Sequence, residues 1–161
     1  MKKHTLGIDI GSTTVKIAIL DENDTLVFSD YERHFANIQE TLADLLQKAE
    51  DQLGELILCP VITGSGGLTL ANHLEVPFVQ EVIAVSTSLQ KLAPKTDVAI
   101  ELGGEDAKII YFENGNVEQR MNGICAGGTG SYHEGTGAFV RGGGCVRRRR
   151  YRPVTALLYC L

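Results

Sequence analysis

The sequence predicts an α/β protein built on an internal repeat. Three observations carry this expectation. Short apolar or alternating runs are separated by glycine turns. An amphipathic helical stretch follows the first three of these runs. The opening pattern then restarts at Asp97, so that TLGIDIGSTTVKIAIL and VAIELGGEDAKIIYF share one grammar: an apolar strand, an acidic residue, a glycine turn, then a strand entered through Lys16 or Lys108.

The elements follow in order. TLGIDI and TVKIAIL are strands separated by Gly-Ser-Thr. DENDT is a turn cluster, after which TLVFSDYERH alternates into a third strand. In NIQETLADLLQKAEDQLG, Ile38, Leu42, Leu45, Leu46, Ala49 and Leu53 recur at helical spacing, and Gly54 is a natural stop. ELILCPVITG is a short apolar run expected as a buried parallel strand, with Cys59 in the core. GSGGLTLANHL reads as a glycine turn into a short helix, VPFVQ as a brief strand and EVIAVSTSLQKLA as another helix. The second copy supplies DVAIELGG, EDAKIIYF and, beyond the ENGN hairpin turn, VEQRMNG. The expected boundaries are a first lobe over 1–96, the start of a second over 97–131 and an irregular tail over 132–161.

Composition sharpens that last boundary. The 161-residue chain has a net charge of −5. Residues 1–131 carry nine Lys and Arg against nineteen Asp and Glu, whereas 132–161 carry six Arg against one Glu. The tail also holds five of the eighteen glycines, and no helical or strand period runs through most of it. The break at Ser131/Tyr132 is what a reading-frame shift in a GC-rich gene would produce, and the chain is expected to be a fragment. No run of 18 apolar residues is present and the N-terminus turns polar at Asp9, which argues against a membrane span or export signal. The expected compartment is the reducing cytoplasm, with four scattered cysteines unpaired.

Three stretches can carry chemistry. In DIGSTTVK, the turn after Asp9 exposes successive amides and hydroxyls able to cup phosphate oxygens. Asp9 can hold Mg²⁺ through water, and Gly11 permits close approach of the backbone. A plain polar β-turn explains the same residues equally well. The matching ELGGEDAK favours the phosphate reading: two related hairpins suggest a cleft holding a nucleotide from both sides, with Glu105 or Asp106 orienting a water or metal near the terminal phosphate. In MNGICAGGTGS, Cys125 sits before a glycine turn that can open a helix, where a thiolate is favoured. It reads as a buried thiol, a nucleophile or a metal ligand. TGSGG can approach a ligand or simply connect strand to helix. The four histidines share no spacing and receive no role, and Arg147–Arg150 offers a basic patch for nucleic acid.

GIDIGSTTVKIAIL, TGSGG, ELGGEDAKIIYF and MNGICAGGTGS, in this order, resemble the activator ATPases of 2-hydroxyacyl-CoA dehydratases and benzoyl-CoA reductases over residues 4–131. The resemblance implies an RNase-H-like lobe of the actin/sugar kinase/Hsp70 ATPase superfamily, with the second lobe truncated. It implies ATP or ADP with Mg²⁺, held by Asp9, Gly11, Ser12, Thr13, Thr14, Val15 and Lys16 in the first loop and by Gly103, Gly104 and Glu105 in the second. Glu105 stands where many members have Gln.

The resemblance further implies a homodimer sharing one [4Fe-4S] cluster, with Cys125 as its first ligand. ATP hydrolysis would drive transfer of a low-potential electron, supplied by ferredoxin or flavodoxin, to the dehydratase or reductase component. No membrane or nucleic-acid partner is implied. The family continues past GGTGS with an amphipathic helix and a second cluster cysteine, whereas this chain continues YHEGTGAFVRGGGC. The chain is therefore expected to be a weak or inactive ATPase on its own. The competing readings are a cluster-free ATPase or small-molecule kinase of the same superfamily and a nucleic-acid binder using the arginine tail.

Overall fold

The computed structural model describes residues 3–102, 107–113 and 116–121. They fall into two units, the first running to Ala84 and the second starting at Val85. The first unit comprises β1 (Lys3–Ile10), β2 (Thr14–Leu20), β3 (Leu26–Arg33), α1 (Ile38–Leu53), β4 (Ile57–Thr63) and α2 (Gly67–Leu74). Its sheet has the order β3-β2-β1-β4. β1 and β2 are antiparallel, with Asp9 opposite Lys16, and β4 runs parallel to β1, with Thr63 opposite Asp9.

Strict alternation makes the core. Leu6, Ile8 and Ile10 of β1 and Val15, Ile17 and Ile19 of β2 are all buried, as period-two side chains on one face must be. Leu42, Leu45 and Ala49 of α1 join the same cluster, together with Phe28, Ile62 and Ala71. The helical stripe read from the sequence is therefore the face α1 buries. Asp30 and Glu32 lie opposite the core-lining Ile17 and Val15, at the sheet edge formed by β3. Lys48 of α1 answers both, reaching Asp30 Oδ2 at 3.2 Å and also Glu32. These carboxylates, Glu32 first, raise the pKa of the lysine. Inward charge on an edge strand discourages pairing with another chain.

Two expectations need correction. β4 is parallel as expected, but it is an edge strand, and Cys59 is exposed rather than in the core. Leu58 and Ile62 take the core side of β4, and alternation turns Cys59 to the other face. VPFVQ forms no strand. It meets β4 through one bridge, Ile62 to Phe78, flanked by hydrogen bonds from Ile62 N–H to Pro77 O and from Val79 N–H to Ile62 O. Pro77 has no N–H with which to extend a ladder.

α3 (Glu81–Leu92) passes from the first unit into the second. The second unit contains β5 (Val98–Leu102), β6 (Ala107–Glu113) and β7 (Asn116–Met121), an antiparallel meander in chain order. Glu101 lies opposite Lys108, and Glu113 opposite Asn116 at the expected hairpin. Residues 122–161, including Cys125 and the tail, lie outside the described residues. No described helix is long and apolar enough to cross a membrane.

Candidate functional site

The candidate site lies in the first unit, where the parallel strands β1 and β4 both end. Carboxyl ends of adjacent parallel strands are where open α/β sheets bind ligands, because the turns leaving them present backbone amides. Asp9 and Lys16 pair across the β1–β2 hairpin at 3.2 Å, both half-buried. They lie on the sheet face opposite the Ile8–Ile10 stripe, since alternate residues take alternate faces.

The turn between them is tightly held. Gly11 N–H donates to Thr14 O at 3.0 Å, closing it. Ser12 is exposed, Thr13 half-buried and Thr14 buried. Val15 is fully buried in the core, so only its backbone is available to a ligand. The Ser12 and Thr13 amides have no hydrogen-bond partner among the described residues. A Cβ at Gly11 would meet nothing closer than 3.6 Å, so packing within the chain does not demand glycine there.

TGSGG joins this site. Gly64, at φ +95°, presses against β1 so closely that a Cβ would lie 2.3 Å from Ile10 O and 2.4 Å from Asp9 Oδ1. Gly66 N–H donates to Ile10 O at 2.9 Å. A Cβ at Gly67 would lie 2.7 Å from Ile62 Cγ2, so α2 begins hard against β4. This glycine cluster is needed for close approach between two backbones, with Asp9 fixed between them. Thr63 Oγ1, beside Asp9 in register, is buried with no hydrogen-bond partner. An orphan hydroxyl next to a carboxylate suits the water shell of a hydrated cation.

His34, left without a role by the sequence, sits beneath the same turn. Its spacing from the motif gave no signal, because only the β2–β3 return brings it there. Gly103, Gly104, Glu105 and Asp106 lie outside the described residues. So does Cys125, and the described residues hold no group of three or more His, Cys, Asp or Glu able to bind a metal. The cysteine they contain, Cys59, is exposed on β4. They supply no ligand set for an iron–sulfur cluster.

The chain is 30% identical over 140 residues to the (R)-2-hydroxyglutaryl-CoA dehydratase activating ATPase of Acidaminococcus fermentans, covering 82% of this chain and 52% of that protein. Among solved structures it is similar to the activator of the 2-hydroxyisocaproyl-CoA dehydratase from Clostridium difficile with bound ADPNP, at a TM-score of 0.68 and 28% identity, covering 81% of this chain and 50% of the other. It is also similar to component A of the A. fermentans (R)-2-hydroxyglutaryl-CoA dehydratase, at a TM-score of 0.63 and 25% identity over 81% and 51% of the two chains. The chain thus spans about half the length of the relatives it matches. The fold is that of the actin-like ATPases. With the match running over residues 6–139, the chain belongs to the BadF/BadG/BcrA/BcrD ATPase family.

Proposed function

We propose that this chain carries the first phosphate-binding lobe of an ATP-hydrolysing activator of a 2-hydroxyacyl-CoA dehydratase. One observation carries the reading: the Gly11–Thr14 turn offers unpartnered amides beside a semi-buried Asp9–Lys16 pair, where β1 and β4 end. Amides aimed at an anion replace its water without reorganising, and Lys16 adds a positive charge. Asp9, with the Thr63 hydroxyl beside it, would hold the water shell of Mg²⁺. Gly103, Gly104 and Glu105 would face the phosphates from the second hairpin, and Glu105 or Asp106 would orient the attacking water. Relatives named as dehydratase activators, one bound to ADPNP, support the nucleotide and the partner.

The finer reading extends this to a homodimer that receives electrons from ferredoxin or flavodoxin and delivers them, through a shared [4Fe-4S] cluster with Cys125 as a ligand, to the dehydratase in the cytoplasm. It rests on the family resemblance alone. When bound, the cluster would supply one-electron chemistry. The contribution of the described residues is nucleotide binding.

Calorimetric titration of the full chain with Mg·ADP is the test, and Asp9→Asn is expected to lose the Mg²⁺-dependent part of the affinity. Wild-type protein that binds no nucleotide would refute the proposal. Anaerobic reconstitution with iron and sulfide separates the two ATPase readings. A brown protein that bleaches on Cys125→Ser supports the electron carrier, and a colourless nucleotide binder supports the cluster-free ATPase or kinase.

A further inference from the structure

We propose that His34 is the positioning residue of the first phosphate turn, an assignment that rests on the nucleotide reading of that turn. His34 is 8% exposed. Its Nδ1 accepts a hydrogen bond from Ala36 N–H at 3.0 Å. That assigns the ring proton to Nε2, which donates to Gly11 O at 3.3 Å. The His34 backbone N–H donates to Thr13 O at 3.1 Å. One residue, twenty-three positions along the chain from Gly11, thus ties back the first and last carbonyls of the Gly11–Thr13 stretch.

Holding those carbonyls matters for an anion site. A carbonyl turned toward a phosphate would repel it, and a turn that must reorganise on binding loses affinity. With Gly11 O and Thr13 O tied to His34, the Ser12 and Thr13 amides remain unpartnered among the described residues and available to a ligand. The backbone after His34 is strained in a manner that fits this role. Phe35 (φ 43°) and Ala36 (φ 67°) are consecutive non-glycine residues in the left-handed region. Each such residue is costly and persists where surrounding contacts over-determine it. Phe35 is 85% exposed, so its own packing does not compensate. The conformation places Ala36 N–H against Nδ1 and so fixes the tautomer that reaches Gly11.

The test uses the full chain and two substitutions. His34→Asn keeps an acceptor near Nδ1 but cannot reach Gly11 O. His34→Gln places an amide N–H near the Nε2 position. Mg·ADP affinity is read by calorimetry, and exchange of the Gly11 amide, which closes the turn, by NMR. His34→Asn is expected to weaken Mg·ADP about tenfold, the upper range for one lost hydrogen bond, and to speed Gly11 exchange by a similar factor. His34→Gln is expected to recover most of both, a rescue that simple filling of space does not predict. If wild-type protein binds Mg·ADP and a folded His34→Asn binds it equally, with Gly11 exchange unchanged, the proposal is overturned. Should His34→Asn not fold, a folded His34→Gln with weakened binding and fast Gly11 exchange overturns it in the same way. If wild-type protein binds no nucleotide, the reading of the turn as a phosphate site fails. The brace then stands if His34→Asn speeds Gly11 exchange and falls if it does not.

Discussion

The β1–β2 and β5–β6 hairpins are two answers to one sequence pattern. An offset of 92 residues carries Asp9 onto Glu101 and Lys16 onto Lys108. In each hairpin the acid lies opposite the lysine and the two form an ion pair, at 3.2 Å in the first and 3.6 Å in the second. The covered face differs. In the first hairpin the buried stripe is Ile8, Ile10 and Ile17, under α1. The same offset carries Ile8 onto Ile100, which is 44% exposed, and Ala18 onto Ile110, which is fully buried. Among the described residues no helix follows β7 to cover the Ile100 face. Register is thus a local property of strand and turn, while the choice of buried face belongs to whatever packs on the sheet.

Breaking the cover of the first hairpin should have the largest effect. Leu45→Ala, at a fully buried α1 position, is expected to cost about 3–5 kcal/mol in chemical denaturation, whereas Ile100→Ala should cost under about 1 kcal/mol. Equal costs would erase the distinction between the two faces. Gly64→Ala comes next. Its Cβ collides with Ile10 O and Asp9 Oδ1 at a left-handed φ, and a loss of about 3 kcal/mol is expected. Gly54→Ala, also at positive φ but with open space around it, should lose only about 1 kcal/mol.

The ion pairs sharpen the comparison further. Lys108 has an 11% exposed side chain and Lys16 a 20% exposed one. The carboxylates they would leave are about equally exposed, 22% for Glu101 and 19% for Asp9, so Lys108→Met and Lys16→Met should each cost about 1–2 kcal/mol in chemical denaturation. The smallest effect lies in the β2–β3 turn. There the backbone N–H groups of Thr25 and Asn23 donate to Asp21, lowering its pKa below the usual carboxylate value. A lowered folded pKa stabilises the turn above the unfolded value and is lost as pH falls through the folded one. Protection of the Asn23 and Thr25 amides, taken relative to the intrinsic exchange rate at each pH, should fall below about pH 4, the ordinary aspartate range. The His34-braced turn should show no corresponding change there, since no carboxylate of that kind closes it.

Much of this was legible because it is periodic. The α1 stripe, the alternation in β1 and β2 and the turn at Gly11 are local patterns, and each became the element its spacing implied. The acid and lysine of each repeat were visible as residues, and antiparallel register then made them partners. Cys59 was misplaced because an apolar run looks the same in a central strand and an edge strand. VPFVQ was misplaced because propensity cannot count the ladder hydrogen bonds that Pro77 lacks. Val15 reads as part of a binding motif, yet its side chain is core, since a motif spans both faces of a strand.

The sequence by itself determined the repeat, the hairpin registers and the turn at Gly11, because these depend on neighbours within a few residues. Only the tertiary structure decided what surrounds that turn. Gly64 against Asp9, the Thr63 hydroxyl beside it and His34 beneath it come from three separate stretches of chain. The sheet brings them together because β4 returns parallel to β1 and β3 returns antiparallel to β2. No local spacing encodes that meeting, which surrounds the hairpin with residues from separate stretches of chain.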